Sequence, residues 1–504
     1  MTRKKYLIGL DNGGSNTKCA IYDLNGHEIA VASASPAIDQ PHPGYVERNP
    51  EEVWRCNCNA ISAAISKAGI DPDEIVSISV SGYGAGIVFI DKDGNATYPI
   101  IVSTDSRANA QVKHFINSGA AINIFDITHQ QLWAGQPAPL IRWFKENEPI
   151  VLEKTRKALP IKDYIRYRLT GEYATEVTDA SMLNLVEPKT CSFSDKLFQL
   201  SDLEDERDLF DYPVLASDSV AGYITKEAAA ETGLKVGTPV AAGLYDVAAS
   251  TFGSGAIDPG ILCVTSGTWT IASYLGSSFE NAADSTIATT SCINGRILLE
   301  EGSATGTVNQ NWYLNNFTSK IYPGLSKKEI YDLVDRIIQS KEPKDTDIIF
   351  VPYLYASSTH PDAKGAFCNI LGYHREDDML YAVLEGILMS TMHHIKLLQQ
   401  STAPFREIRL SGGVSASKEW SQLFCDIIQL PIVVMNGTQQ TARGAAMAAG
   451  IAAGEFSDFN QAIEAMCRSE KSYTPNTERA DIYVRRFENY EKALQAIDYF
   501  ASLG

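Results

Sequence analysis

The sequence predicts a two-lobed α/β protein, and three observations predict it. The chain has 504 residues, too many for one hydrophobic core and comfortable for two large lobes. Its opening reads as strand, glycine turn, strand: Tyr6–Leu10, then Asp11-Asn-Gly-Gly-Ser-Asn-Thr17, then Lys18–Tyr22. The same pattern returns midway as Gly260–Val264, Thr265-Ser-Gly-Thr268 and Trp269–Ser273, and a unit repeated at the start of each half points to two similar lobes.

The elements between follow from local chemistry. Asn49-Pro50-Glu51-Glu52 opens a helix, with Asn49 as N-cap, Pro50 in the first helical position and Glu52 reaching back as in a capping box. Val53, Ile61, Ala64, Ile65 and Ala68 continue it at helical spacing until Gly69 stops the run. Ile75–Val80 is an apolar strand, and Gly86–Ile90 forms a hairpin turning on Lys92-Asp-Gly-Asn95. A mostly helical stretch covers about Ala108 to Leu203, and Pro239–Leu244 returns as a buried strand. Gly253-Ser-Gly255 reads as a hinge, which divides the chain into lobes 1–252 and 253–504. In the second half Glu407–Leu410 is a strand running into Ser411-Gly-Gly413, with a helix from about Lys418 to Ile428. Gly444–Gly450 is a small-residue helix suited to close packing, and a polar surface helix begins near Asp481.

Composition excludes several classes. Formal net charge is -18, and both nucleic acid and anionic membrane surfaces would repel such a chain. Nucleotide binding stays open to it, through backbone N–H groups, helix ends and a metal ion. Nine scattered cysteines read as reduced thiols rather than a disulfide framework. Tyr6–Leu10 is too short for a signal-peptide core, and no apolar run approaches a membrane span, so the expectation is a cytoplasmic protein.

Three glycine-rich turns each follow a strand: Asp11–Thr17, Thr265–Thr268 and Ser411–Ser417. Glycine lets backbone N–H groups approach phosphate oxygens, and Ser or Thr hydroxyls add donors. A carboxylate in such a turn is repelled by phosphate, so the useful role of Asp11 is to hold Mg²⁺, often through water. A fourth element, Gly243-Leu-Tyr-Asp246, sets a lone carboxylate between an apolar strand and a helix-like segment. Asp246 is either an N-cap or the acceptor of a substrate proton, and the two roles are compatible. Trp133 stands just before the turn at Gly135-Gln-Pro137 and is either a core anchor or a pocket wall. The adjacent His393 and His394 face different directions on a helix and make a poor metal pair.

Taken in order, Asp-x-Gly-x-Ser at Asp11, Asp-x-Arg at Asp105, Gly-x-x-Asp at Gly243, Ser-Gly-Thr at Ser266 and Ser-Gly-Gly at Ser411 resemble the FGGY carbohydrate kinases. Pro43-Gly-Tyr-Val-Glu47, Thr104-Asp-Ser-Arg107, Lys162-Asp-Tyr-Ile-Arg-Tyr-Arg-Leu-Thr-Gly171 and Gly444-Ala-Ala add to it, and the resemblance runs from about Leu7 to Gly454. It implies a two-lobed actin/hexokinase-like (ribonuclease H-like) ATPase fold with a cleft between lobes. The expected activity is ATP- and Mg²⁺-dependent phosphorylation of a hydroxyl on a small sugar or sugar acid. The N-terminal lobe would bind sugar and carry the base, and the C-terminal lobe would bind nucleotide.

The resemblance also implies roles by position. Asp246 would be the catalytic base, and Asp11 would organise Mg²⁺ and the phosphates with Gly13, Ser15, Asn16 and Thr17 in the same turn. Thr268 would meet the transferred phosphate, while Gly306, Gln310, Gly412, Gly413 and Ser417 would surround the rest of the nucleotide. Tyr83, Gly84, Asp105 and Arg107 fall where the family contacts substrate. Two departures point away from D-xylulose. Ala85 replaces the His of the Gln-Met-His-Gly of xylulose kinases, and Leu140 replaces a Lys shortly before Trp143. Leu132–Pro137, Leu140–Lys145 and Tyr353-Leu-Tyr355 look most like the L-xylulose/3-keto-L-gulonate kinase branch. The partner expected is therefore a small sugar or sugar acid, with no nucleic acid and no membrane; a homodimer is left open. The competing readings are an actin-like ATPase and a sugar-sensing protein without kinase activity.

Overall fold

β1 (Tyr6–Asn12) is buried along its whole length, which requires cover on both faces of the sheet that contains it. The structure, a computed structural model of the chain, describes residues 4–279, 286–343, 345–355, 357, 359–360 and 362–503. Two compact units are formed, neither contiguous in sequence. The first comprises Met1–Gly255, Leu275–Leu299 and Asn436–Arg468; the second comprises Ala256–Tyr274, Glu300–Met435 and Ser469–Gly504. The sequence division at 252/253 therefore separates two stretches of chain, while the compact units exchange segments across it.

In the first unit β1 pairs antiparallel with β2 (Thr17–Asp23), and β2 with β3 (Glu28–Ala34). On its other side β1 runs parallel to β4 (Ile75–Gly82). Beyond β4 the sheet continues through β6 (Pro239–Ala241) to an antiparallel edge strand, β5 (Val220–Tyr223). The short β7 (Leu244–Tyr245) extends the chain of β6 and also pairs parallel with β4, so the carboxyl ends of β1, β4 and β7 come together. The second unit repeats this arrangement. β8 (Ile261–Ser266) pairs antiparallel with β9 (Thr270–Gly276), which lies beside β10 (Ile297–Ser303). On the other side β8 runs parallel to β11 (Glu407–Gly412), β11 parallel to β12 (Ile432–Met435), and β12 antiparallel to β13 (Ser469–Tyr473). Over six strands of each sheet the order matches, and the parallel and antiparallel pairs named for the second unit have counterparts in the first; the second sheet adds an edge strand, Ile287–Thr290, beside β10. The repeat of the strand–turn–strand pattern in sequence is a repeat of this topology.

The helix Pro50–Ala68 packs on β2 and β3. Asn49 caps it by accepting from the N–H groups of Glu51 and Glu52, and Gly69 ends it in the left-handed region at φ 63°. The capping box is not formed, because Glu52 accepts from the Ala37 N–H instead. The helix Gln440–Ala452 covers β1 and β4 in the first unit and crosses the helix Asp246–Gly253. Its small residues make this possible. A Cβ on Gly444 would lie 1.9 Å from the Ala249 carbonyl oxygen, and one on Gly253 would lie 1.9 Å from that of Gln440. Gly253, expected as part of a hinge, is thus a packing residue of this helix crossing.

In the second unit the C-terminal helix Ala480–Ala501 departs from the polar surface helix expected. Tyr483, Phe487, Tyr490 and Leu494 are buried along one face. Arg486 donates from Nε to Glu385 Oε1 at 2.7 Å, tying it to the helix Glu376–Gln399. The misjudgement comes from counting charge: residues at helical spacing bury one face even when the others dominate composition.

Because the crossing at Ala249 leaves no room for a methyl group, Gly444→Ala is expected to cost about 1–3 kcal/mol of stability through overpacking. Urea unfolding monitored by circular dichroism checks this, with Gly454→Ala in an open turn as the comparison for left-handed strain alone.

Candidate active site

The carboxyl ends of β1, β4 and β7 bring together Asp11, Tyr83 and Asp246, all in the first unit. Asp11 stands one residue before the end of β1, opposite Lys18 on β2 and Ser81 on β4. It is 8% exposed, and its Oδ1 is buried with no hydrogen-bond partner among the described residues. Burial lifts its carboxyl to about 6, with the Lys18 charge opposing. The turn that follows is closed by the Gly13 N–H donating to the Asn16 carbonyl at 3.1 Å. Arg48 holds it from beside, donating to the carbonyls of Gly13 and Gly14. Ser15 and Asn16 are exposed, although Asn16 Oδ1 accepts from Ser35 at 2.6 Å. Thr17 is buried and donates to Asn12 Oδ1, which also accepts from Asn57. It anchors the base of the turn rather than its rim.

Asp246 is half-buried and is the first residue of the helix Asp246–Gly253. The cap position belongs to Tyr245, which makes no side-chain capping bond, so the N-cap reading of Asp246 is corrected by one residue. Burial, and then the neighbouring charge of Asp11, raise its carboxyl to about 7, against the pull of the Val247 and Asp246 N–H groups. A carboxyl titrating near neutrality beside a second carboxyl is suited to accepting a proton.

Tyr83 is 5% exposed, its hydroxyl has no partner among the described residues, and burial pushes its phenol up to about 12. Gly84 allows close packing, since a Cβ there would lie 3.1 Å from Met182 and 3.3 Å from the Tyr245 ring. Ala85 follows in the left-handed region at φ 62° and is buried. A non-glycine residue held there is strained, and its methyl offers a ligand no polar atom. Trp133 is partly exposed, with its N–H donating to Gln136 Oε1 at 3.0 Å. Arg107 does not offer the free guanidinium that direct substrate contact needs. It donates to Asp105 Oδ1 and Oδ2 at 2.9 and 2.8 Å, to Glu47 at 2.6 Å and to Tyr98 at 3.3 Å. The Tyr45 ring lies over it at 4.1 Å. Asp105 in turn accepts from the Val46 N–H at 2.7 Å, so this pair braces the Pro43–Glu47 segment.

In the second unit, three turns converge. Gly306 packs on the Thr265–Thr268 turn so closely that a Cβ would lie 2.3 Å from the Gly267 carbonyl oxygen. The Thr307 N–H and hydroxyl donate to that same oxygen at 2.7 and 2.8 Å. Gly412, at φ 86°, passes equally close to the Ser266 carbonyl, and a Cβ on Gly413 would meet Thr307 at 3.4 Å. Thr268 is left exposed at the rim, and Gln310 is buried with Nε2 unpartnered. Ser417 is committed elsewhere: it caps the helix Lys418–Ile428 through the Trp420 N–H and donates to Asp335 at 2.6 Å.

Among the described residues no group of three or more His, Cys, Asp or Glu side chains could hold a metal, and no helix is long and apolar enough to cross a membrane. Mg²⁺ does not require such a cage, because it keeps several waters and is held by one or two carboxylates plus substrate phosphates. The unpartnered Oδ1 of Asp11 fits that mode. His394 is buried and bonded through Nε2 to Ser303 at 2.8 Å. A cavity of about 510 Å³ in the first unit, lined by Lys189, Cys191, Phe279, Cys292 and Arg296 among others, contains none of these site residues.

The fold is that of a two-lobed, actin/hexokinase-like sugar kinase. Superposition on a gluconate kinase from Lactobacillus acidophilus gives a TM-score of 0.87 over 98% of both chains, at 24% identity. The N-terminal domain of the FGGY family of carbohydrate kinases matches residues 6–253 and its C-terminal domain matches residues 262–453, so the chain belongs to that family. It is a carbohydrate kinase, and the non-kinase readings fall away. The chain is 28% identical over 497 residues to the L-xylulose/3-keto-L-gulonate kinase of Escherichia coli strain K12, covering 98% of each. It is 29% identical over 496 residues to a probable L-xylulose kinase of Haemophilus influenzae, covering 98% of this chain and 99% of that one.

An Asp with a raised carboxyl costs folded stability above its folded value, near 7, and the cost disappears as pH falls toward the unfolded value of about 3.9. Asp246→Asn is therefore expected to raise the unliganded melting temperature at pH 8, with the gain shrinking at pH 5. Differential scanning fluorimetry at the two pH values checks it, and a lower melting temperature at pH 8 contradicts it.

Proposed function

We propose that this chain transfers the γ-phosphoryl group of ATP to a hydroxyl of an L-ketopentose such as L-xylulose, or of a keto-sugar acid, with Asp246 as general base. The observation that carries the reading is the half-buried Asp246 carboxyl, raised to about 7 at the carboxyl ends of β1, β4 and β7. An alcohol holds its proton tightly at neutral pH. Asp246 accepts that proton as the sugar oxygen bonds to phosphorus and the bond from phosphorus to the leaving ADP oxygen breaks. The proton ends on the Asp246 carboxyl. Tyr83, with an unpartnered hydroxyl, is assigned to the sugar, together with Gly84 and the partly exposed Trp133. Asp105 and Arg107 support that wall through Val46 and Glu47 rather than by contact.

Asp11 is assigned to Mg²⁺ through its Oδ1, with Ser15 and Asn16 offering backbone and hydroxyl donors to phosphate and Gly13 closing the turn that presents them. When bound with the nucleotide, the ion neutralises charge on the phosphates. In the second unit Thr268 is assigned to phosphate, and Gly306, Gln310, Gly412 and Gly413 to the remainder of the nucleotide, because close backbone approach leaves their turns free of side chains. Ser417 supports this region as a helix cap.

The choice of sugar rests on two supports. Two of the relatives named above are an L-xylulose/3-keto-L-gulonate kinase and a probable L-xylulose kinase. Ala85 also offers no imidazole where xylulose kinases carry one. The test is ADP release from a panel of D-xylulose, L-xylulose, 3-keto-L-gulonate and gluconate, run on wild type and Asp246→Asn. The expected result is the highest kcat/KM on L-xylulose or the keto acid, and a kcat loss of about 10²–10⁴-fold in the variant. D-xylulose as best substrate overturns the specificity; a variant keeping more than about a tenth of kcat overturns the assignment of the base.

A further inference from the structure

The stretch Lys162-Asp-Tyr-Ile-Arg166 stands out in the sequence, yet none of its side chains enters the proposed reaction. Lys162, Asp163, Arg166, Glu176 and Asp179 are all fully buried in the first unit. Five buried ionisable side chains are a poor way to gain stability, because well-packed apolar side chains of similar volume do as well or better. Their geometry gives them another use.

Glu176 precedes the short helix Val177–Ala180 and its carboxylate accepts four hydrogen bonds. These come from the N–H groups of Thr178 and Asp179 at 2.9 Å each, the Thr178 hydroxyl at 2.6 Å and the Ser217 hydroxyl at 2.5 Å. Lys162 Nζ lies 3.5 Å away and balances its charge, held in turn by Asp163 at 2.6 Å. The Lys162 stem is packed against the backbone that leads to Asp246: a Cβ on Gly243 would lie 3.3 Å from its Cδ. A carboxylate can only accept, so the single Thr178 proton is spent on Glu176. The remaining lone pairs of that hydroxyl face outward, and one accepts from the Tyr245 N–H at 3.1 Å. Tyr245 is the residue before Asp246, and a backbone N–H can only donate. Each bond in the series has one possible direction.

We infer that Thr178, oriented by Glu176 and Lys162, is a positioning residue that fixes the Tyr245–Asp246 backbone and so aims the Asp246 carboxylate at the sugar hydroxyl. The inference rests on the reading of Asp246 as general base. It makes Thr178 act through Asp246 alone, with no contact to sugar or nucleotide.

The experiment measures kcat and sugar KM for Asp246→Asn, Thr178→Val, Thr178→Ser, Ser217→Ala and the double variant Asp246→Asn/Thr178→Val. Valine keeps the shape of threonine and removes the hydroxyl. A displacement near 1 Å at a reacting group costs about 10²-fold, so Thr178→Val is expected to lose about 10–100-fold in kcat with little change in KM. Thr178→Ser is expected to regain most of that loss, and the double variant to be no slower than Asp246→Asn alone. Ser217→Ala, which removes one donor from Glu176, is expected to lower kcat less, again at constant KM. A crippled Asp246→Asn beside a Thr178→Val with wild-type kcat overturns this inference and leaves the base in place. A fully active Asp246→Asn overturns both. A loss that serine does not restore, or that multiplies with Asp246→Asn, also overturns the inference. Should Thr178→Val fail to fold, wild-type kcat in Ser217→Ala does so.

Discussion

Two carboxylates, Asp11 and Asp246, are held close enough for one to raise the other in a region where little water reaches them. Burying a charge is costly unless it is paired, and among the described residues neither of these acids forms an ion pair. The rest of the first unit can be understood as what keeps them there. Three parallel strand ends converge on the spot, helices cover both faces of the sheet, and Arg48 binds the carbonyls of the turn rather than the acid beside it. A protein selected for stability alone would have answered the same geometry with an arginine or with apolar packing. Unpaired acids are what the proposed site calls for, since its metal ion and sugar hydroxyl would arrive with substrate.

The second constraint is how closely backbone meets backbone. In the first unit Gly9, Gly253 and Gly444 each sit where a methyl group would fall within 2 Å of a carbonyl oxygen on a neighbouring element. In the second, Gly306 and Gly412 bring their turns within similar reach of the β8–β9 connection. The same residue type serves two ends. In the helix crossing it permits packing of the sheet's cover, and in the turns it leaves a surface bare of side chains, as the proposed phosphate contacts require. Sequence alone could not tell these uses apart, and Gly253 shows it: a Gly-Ser-Gly stretch looks like a hinge until the helix packed on it is known.

What could be read from the chain was local or periodic. The β1–β2 turn, the Asn49 cap, the Gly69 stop and the helix Lys418–Ile428 depend on residues within a few positions of one another. The duplicated topology was legible because each half opens with the same strand–turn–strand pattern. The candidate base could be singled out because it follows a strand and precedes small residues. Features set by distant partners were not. Arg107 looked like a ligand contact, and only Glu47, sixty positions away, reveals it as a brace. Ser417 looked like part of a phosphate turn until Asp335 claimed its hydroxyl. The bond from Tyr245 to Thr178 spans 67 positions and carries no short-range signal. The Lys162 stretch was noticed as a pattern, but its purpose depends on that bond.

The central claim is that Asp246 takes up a proton near neutral pH because it sits half-buried beside Asp11. The direct measurement is the titration of ¹³C-labelled aspartate carboxyls by NMR, with Asp246→Asn identifying the signal, in wild type and in Asp11→Asn. The account predicts an Asp246 carboxyl titrating near 7 in wild type, and at lower pH once Asp11 is neutralised. A carboxyl that titrates near the ordinary value of about 3.9 in both proteins would contradict it.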